Sequence, residues 1–236
     1  MTNVLELRSV SAAYGPFRAL FGVSLTVGAG EALALVGANG SGKTTVARVA
    51  SGLVAPTNGT VLVDGDDVTG KRAYEFTRHG VAHAVEGRSV FATLTVEENL
   101  SLSFRRALGR SGARAGLDEA YGMFPVLGRR KGQLAGTLSG GEQRMLSLAR
   151  VLVEKPKLLI ADELSLGLAP IIVDELYDAL RRLRESGSSL LIVEQQVGHA
   201  LQLCDRVALL DHGAISWTGT SAEAGDVVTQ SFDVAS

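Results

Sequence analysis

Residues 31–53 read "EALALVGANGSGKTTVARVASGL". The apolar run 32–36 has the length and composition of a buried strand. It leads into "GANGSGKT", residues 37–44, which satisfies G-x-x-x-x-G-K-[ST] at every fixed position. A helix-forming stretch follows and closes at Gly52. Strand, glycine loop and helix together make a cradle for a phosphate chain. Glycines let backbone N–H groups approach the anion with no Cβ in the way, and the helix N-terminus adds partial positive charge. Gly37, Ala38, Asn39, Gly40, Ser41, Gly42, Lys43, Thr44 and Thr45 are therefore candidate phosphate-binding residues. Lys43 is suited to the β- and γ-phosphates and the Thr44 hydroxyl to Mg²⁺.

The rest of the chain alternates in the same way. "VLELRSV" and "GVSLTV" read as strands before the loop, and "GTVLVDGDDV" as a strand ending in turn residues after it. From Tyr74 to Leu152 the pattern is mostly helical, broken by "GRSGARAG", residues 109–116, which reads as a flexible loop. "KLLIADE" and "SLLIVEQ" are buried strands on either side of an amphipathic helix, "APIIVDELYDALRRLRESG", with Gly187 past its end. "RVALLDHGAISWTG" reads as a hairpin turning at His212–Gly213. This order predicts an α/β fold: a mostly parallel sheet core, an antiparallel β flank and a helical lobe.

Composition excludes several classes. The 236 residues are 46% hydrophobic and 20% charged with a net charge of −2, so there is no basic footprint for nucleic acid. The short basic clusters at 105–106, 129–131 and 181–184 read as solvated helix faces. A single cysteine, Cys204, forms no internal disulfide and reads as a small core residue, and the four histidines are scattered. The opening "MTNVLELRSV" has neither a basic nor an apolar signal region, and no run of about 18 apolar residues occurs, so the expectation is a cytoplasmic protein that meets a membrane only through a partner.

A phosphate loop needs metal-side carboxylates. Asp162, at the end of a buried strand, suits the Mg²⁺ shell, and Glu163 suits the general base that polarises the attacking water. A second glycine-opened helix, "LSGGEQRMLSLAR" (138–150), raises a separate question. Ser139 and Glu142 form a capping box, and Met145, Leu148, Ala149 and Leu152 recur on one face. Glycine costs helix stability, so the Gly140–Gly141 pair suggests an anion pressed against the backbone N–H groups.

"LSGGEQ" resembles the signature motif of ABC-type ATPases, and the P-loop, signature and strand-DE motifs follow one another in that family's order along the whole chain. The resemblance implies a P-loop NTPase fold of ABC type and one nucleotide-binding domain, 1–236, with a helical subdomain inserted at about 88–152. It implies a head-to-tail pair with a second ABC ATPase subunit, identical or paralogous, in which Ser139, Gly140, Gly141 and Glu142 cap the partner's ATP. Tyr14 matches the aromatic that stacks on adenine, "SLGLAP" (165–170) the D-loop, Gln195 the switch position that is histidine in many members, and Glu86 the lid position, touching nucleotide and Mg²⁺.

Glutamate in the lid, "GR..F..LTVEENL", "SLGLAP" and "VEQ" together resemble the ATP-binding subunits of branched-chain amino acid importers and of related amide and urea importers. That implies ATP hydrolysis coupled to import, permease subunits meeting residues 88–100, an extracytoplasmic solute-binding protein as an indirect partner, and a place on the inner face of a bacterial plasma membrane. A soluble ABC ATPase with no permease is the alternative. Val85, Ala161 and Leu164 depart from that branch's usual residues beside the lid and strand acids.

An amide at position 195 hydrogen-bonds a phosphate oxygen but carries no titrating proton. Gln195→His is expected to introduce a step in the pH–rate profile near about pH 6.5 that the parent lacks; the same step in the parent contradicts this role.

Overall fold

Alternation over residues 5–8 shows in the flank. In the computed structural model, which describes residues 2–85, 89–195 and 197–225, β1 (Asn3–Tyr14) buries Leu5 and Leu7 while Glu6 and Arg8 turn outward and pair with each other at 2.9 Å. β1 lies antiparallel to β2 (Phe17–Gly28) and to β4 (Asn58–Val63). β4 turns at Asp64 and Gly65 into the short β5 (Asp66–Asp67). The order of this sheet is β2-β1-β4-β5.

Alternation disappears in the central strands of the second sheet because they are covered on both faces. β3 (Ala32–Val36), β7 (Leu158–Asp162) and β8 (Ser189–Glu194) are buried at every residue. β3 pairs parallel with β8 and with β9 (Arg206–Asp211), and β7 pairs parallel with β8. β10 (Ala214–Thr220) returns antiparallel to β9 through the turn at His212–Gly213, where both residues have positive φ. The order is β10-β9-β3-β8-β7-β6, with β6 (Val81–Ala84) next to β7. β6 lies inside the stretch that reads as helical in sequence; four residues with two small alanines carry too little pattern to announce a strand. The helix after the loop, α1 (Lys43–Ala50), buries Val46, Ala47, Val49 and Ala50 in one cluster with Leu33, Leu35, Ile160 and Leu191 of the parallel sheet and Leu5, Leu20 and Val23 of the flank.

The chain forms two compact units. One holds the described residues within 1–83, 157–163 and 187–236, and the other those within 84–156 and 164–186. The second, helical unit also takes in α6 (Pro170–Glu185). Its longest element, α3 (Val96–Met123), is broken only at Gly109, with φ 72° and ψ 177°. The expected loop over 109–116 is therefore helical beyond that one residue. Packing decides it: a Cβ on Gly116 would stand 3.0 Å from the Phe104 ring and 3.1 Å from Leu108, so this glycine allows close approach and is not a flexible link.

Asn99 fixes the entry to α3. Its buried side chain accepts from Phe91 N at 2.8 Å and donates to Phe91 O at 3.0 Å and Thr95 O at 2.9 Å. α5 (Gly140–Leu152) buries Met145, Leu148, Ala149 and Leu152 on the expected face. α6 buries Val173, Leu176, Tyr177, Leu180 and Leu183, and Gly187, at φ 102°, follows it. Among the described residues, no helix is long and apolar enough to cross a membrane.

Candidate active site

Parallel strands deliver their C-terminal ends to one edge of the sheet, where an α/β protein binds ligands. Here β3 ends at Val36 and runs into Gly37, β7 ends at Asp162 with Glu163 next, and β8 ends at Glu194 with Gln195 next. The loop of residues 37–42 is held in shape by what surrounds it. A Cβ on Gly37 would meet Leu210 O at 2.3 Å, and one on Gly42 would meet Ala19 O at 2.9 Å, where φ is also +105°. Both positions require glycine for physical reasons. Gly213 N donates to Ser41 O at 2.8 Å, and Phe21 N donates to Gly213 O at 2.8 Å, so the β9–β10 turn ties the loop to β2. That brace is carried by backbone groups and leaves no motif in the sequence.

Ala38, Asn39 and Gly40 are exposed at the mouth, while the working side chains point inward. The Lys43 ammonium is 4% exposed as a residue and donates to Gly37 O and Ala38 O, each at 2.9 Å. Glu163 Oε1 lies 3.8 Å away. Desolvation is the largest influence on this lysine and lowers its pKa, against the opposing pull of Glu163, Asp162 and Glu194. With two of its three donors on carbonyls, this buried ammonium has one donor left to turn to an added anion. Ser41 Oγ, buried beside it, has no hydrogen-bond partner among the described residues. Thr45 is buried within α1.

On the metal side, Thr44 Oγ1 lies 3.4 Å from Asp162 Oδ1, and Asp162 is 1% exposed. This hydroxyl and carboxylate fit a hard cation that takes oxygen ligands. Glu163 sits in the left-handed region at φ 47°, held by its N–H donating to Val193 O at 2.9 Å. Strain of this kind in a non-glycine residue aims the side chain and is typical of working positions. Gln195 follows β8 and is half-buried. Tyr14 ends β1 with 42% exposure, leaving a ring face open for stacking. Glu86 lies outside the described residues.

Ser139, Gly140, Gly141 and Glu142 belong to the helical unit. Ser139 Oγ accepts from Glu142 N at 3.3 Å, and Glu142 Oε2 accepts from Ser139 N at 2.9 Å, the expected capping box. Glu142 Oε1 also pairs with Arg130 at 2.9 Å, so both of its oxygens have structural work. Gln143 Nε2 donates to Ala135 O at 2.9 Å and anchors the turn before the helix. Gly141 has a packing role that the sequence did not disclose: a Cβ there would stand 3.2 Å from Ile172 of α6. Close packing therefore accounts for one of the paired glycines without any anion.

Two buried groups at the strand ends take no role from the sequence motifs, although Glu194 lies within "VEQ". Glu194 is 2% exposed and pairs in register with Val36, and His83 on β6 faces Asp162, Nε2 to Oδ2 4.0 Å. Only strand pairing brings them to the site, so spacing along the chain gave no signal.

Residues 20–165 match the family model described as ABC transporter. This chain belongs to the ABC transporter family. It is an ATPase of the ATP-binding cassette type. It is 40% identical over 219 residues to the high-affinity branched-chain amino acid transport ATP-binding protein BraG of Pseudomonas aeruginosa, covering 93% of this chain and 94% of that one. It is 34% identical over 221 residues to a probable branched-chain amino acid transport ATP-binding protein, LivF, of Archaeoglobus fulgidus, covering 93% of each. Among solved structures, an ATP binding subunit of an ABC transporter superposes with a TM-score of 0.83 at 27% identity, covering 96% of this chain and 92% of that chain. The folded cassette is thus shared across sequences that have diverged widely.

His83 carries a pH prediction for the nucleotide-free cassette. Burial, aided by the Arg48 charge, lowers its pKa to about 4 from the ordinary 6.5. The unfolded chain then binds more protons than the folded one between these values, so stability is complete above about pH 6.5 and falls as the pH drops towards about 4. The loss amounts to roughly 3 kcal/mol at most, from about 1.4 kcal/mol per pKa unit. Urea unfolding of the parent and of His83→Leu between about pH 7 and pH 4 should show a smaller acid loss in the variant; equal losses contradict it.

Proposed function

We propose that this chain powers a membrane importer, with branched-chain amino acids or related amides as the transported solute. The observation that carries the reading is the convergence of Lys43, Thr44, Asp162 and Glu163 at the ends of β3 and β7. The solute class rests on relatives named for branched-chain amino acid transport.

In this reading the substrate ATP lies along the backbone N–H groups of residues 37–45, and Lys43 turns its remaining donor to the β- and γ-phosphates. Mg²⁺ would be held by the Thr44 hydroxyl and Asp162, with Glu86 as a further candidate, and would neutralise phosphate charge. Glu163 accepts the proton of the attacking water. The Gln195 amide donates to a γ-phosphate oxygen and fixes its position without exchanging a proton. Tyr14 stacks on the adenine.

Residues 1–236 then work as one nucleotide-binding domain, with 88–152 as its inserted helical subdomain. A second cassette, identical or paralogous, packs head to tail, so that Ser139, Gly140, Gly141 and Glu142 of each cap the nucleotide held by the other. Permease subunits meet the surface around residues 88–100 and hold the cassette at the inner face of the membrane. The extracytoplasmic solute-binding protein acts only through them, and nucleic acid has no part. ATP favours the closed pair and hydrolysis releases it, a ligand-driven population shift that the permease follows.

Glu163→Gln tests both parts. The purified variant should bind ATP as tightly as the parent while turnover falls by about 100-fold or more, and cells carrying it should lose uptake of labelled leucine, isoleucine and valine. Hydrolysis at the parental rate overturns the role of Glu163; unchanged uptake of all three amino acids overturns the solute class.

A further inference from the structure

His83 has no place in the motifs that define the site, yet it is one of the few polar side chains at the strand ends whose partners are incomplete. Its side chain is 7% exposed. Nδ1 lies 2.9 Å from Ser51 Oγ at the C-terminal end of α1. Nε2 is buried with no hydrogen-bond partner, and it faces Asp162 Oδ2 at 4.0 Å. The other oxygen of the same carboxylate, Oδ1, faces the Thr44 hydroxyl at 3.4 Å. The imidazole therefore stands behind the acid, on the side away from Thr44's approach.

Two proton arrangements fit the Ser51 contact. In one, Nδ1–H donates to Ser51 Oγ, and the Ser51 hydroxyl donates to Ala47 O at 2.9 Å. That leaves the bare Nε2 lone pair facing a carboxylate, a repulsive pairing in a buried place. In the other, the Ser51 hydroxyl donates to Nδ1 and the proton sits on Nε2, directed at Oδ2. Opposite partial charges then face each other, and the second arrangement is favoured. A charged ring would also carry a proton on Nε2, so the donor does not depend on the state of titration.

We propose that His83 is a positioning residue for the metal side of the site: its Nε2–H holds Oδ2 of Asp162 and leaves Oδ1 presented beside the Thr44 hydroxyl. The separation of 4.0 Å is beyond hydrogen-bond range, and an approach of about 1 Å closes it. That closure accompanies loading of the site. Groups of this kind, which grip a metal-side ligand from behind, typically contribute about 10-fold to 100-fold in metal affinity. The inference rests on the reading of Asp162 as a Mg²⁺-side carboxylate.

Two measurements test it. The first is the ¹⁵N spectrum of histidine-labelled protein, with the His83 signals identified by their loss in His83→Gln. An Nε2–H tautomer is expected without nucleotide, with a further Nε2 shift when Mg²⁺ and a non-hydrolysable ATP analogue are added; an Nδ1–H tautomer overturns the proposal. The second is a Mg²⁺ titration of protein already holding that analogue. His83→Leu should raise the half-saturating Mg²⁺ by about 10-fold, leaving metal-free affinity for the analogue unchanged. His83→Gln, whose side-chain N–H reaches the Nε2 position, should restore most of the loss. Equal Mg²⁺ responses in parent and His83→Leu overturn the role of His83. A parent that binds the analogue with no response to Mg²⁺ overturns the reading of Asp162 itself.

Discussion

Removing the Lys43 ammonium from water costs solvation free energy, and the loop returns only part of it. Two carbonyls accept from the cation at 2.9 Å, and Glu163 Oε1 stands 3.8 Å away. The lowered pKa is the signature of that shortfall. Everything around the loop serves to hold this unfavourable arrangement in place. The buried strand β3 delivers the loop, α1 closes it, and the turn at Gly213 straps it to β2. A protein that keeps a cation dry with one donor not committed to a carbonyl has an anion site already organised. In the proposed role, the phosphates of ATP take up the remaining donor, so little needs to rearrange around Lys43 when they arrive.

The same edge of the sheet gathers the acids. Asp162 and Glu163 are adjacent in sequence, yet their backbones differ: the first ends a regular strand and the second, just past it, is turned into the left-handed region. One carboxylate is thereby left buried beside Thr44 and His83 while its neighbour points towards the loop. Two acids in sequence thus acquire two environments, as the proposed division between a metal-side group and a proton acceptor requires. The helical unit solves a different problem. Its glycines at 116 and 141 permit close packing on Phe104 and Ile172, and Glu142 is bound to Ser139 and Arg130. A helix whose start is fixed this firmly presents its first backbone N–H groups in a defined direction.

Much of this could be read in advance. The phosphate loop, the capping box at Ser139 and the buried strands are local patterns, and local patterns survive in a single sequence. The parallel core and antiparallel flank follow from the order of strands and helices. What stayed hidden depends on contacts between distant residues. β6 was too short to announce itself, Gly109–Gly116 looked like a loop because a packing glycine and a hinge glycine are identical in sequence, and His83 and Glu194 reach the site only through strand pairing. The brace from Gly213 to the phosphate loop uses backbone atoms alone, and Gly141 fits against a helix about thirty residues away.

The account depends most on the Lys43 ammonium as an anion site. Calorimetric titration of metal-free ATP into the parent and into Lys43→Ala isolates that contribution from metal and from catalysis. Loss of a charge-assisted contact of about 2–3 kcal/mol predicts roughly 30-fold to 150-fold weaker binding in the variant. Equal affinities for the two proteins would contradict the account, because the phosphates would then be held by something other than this cation.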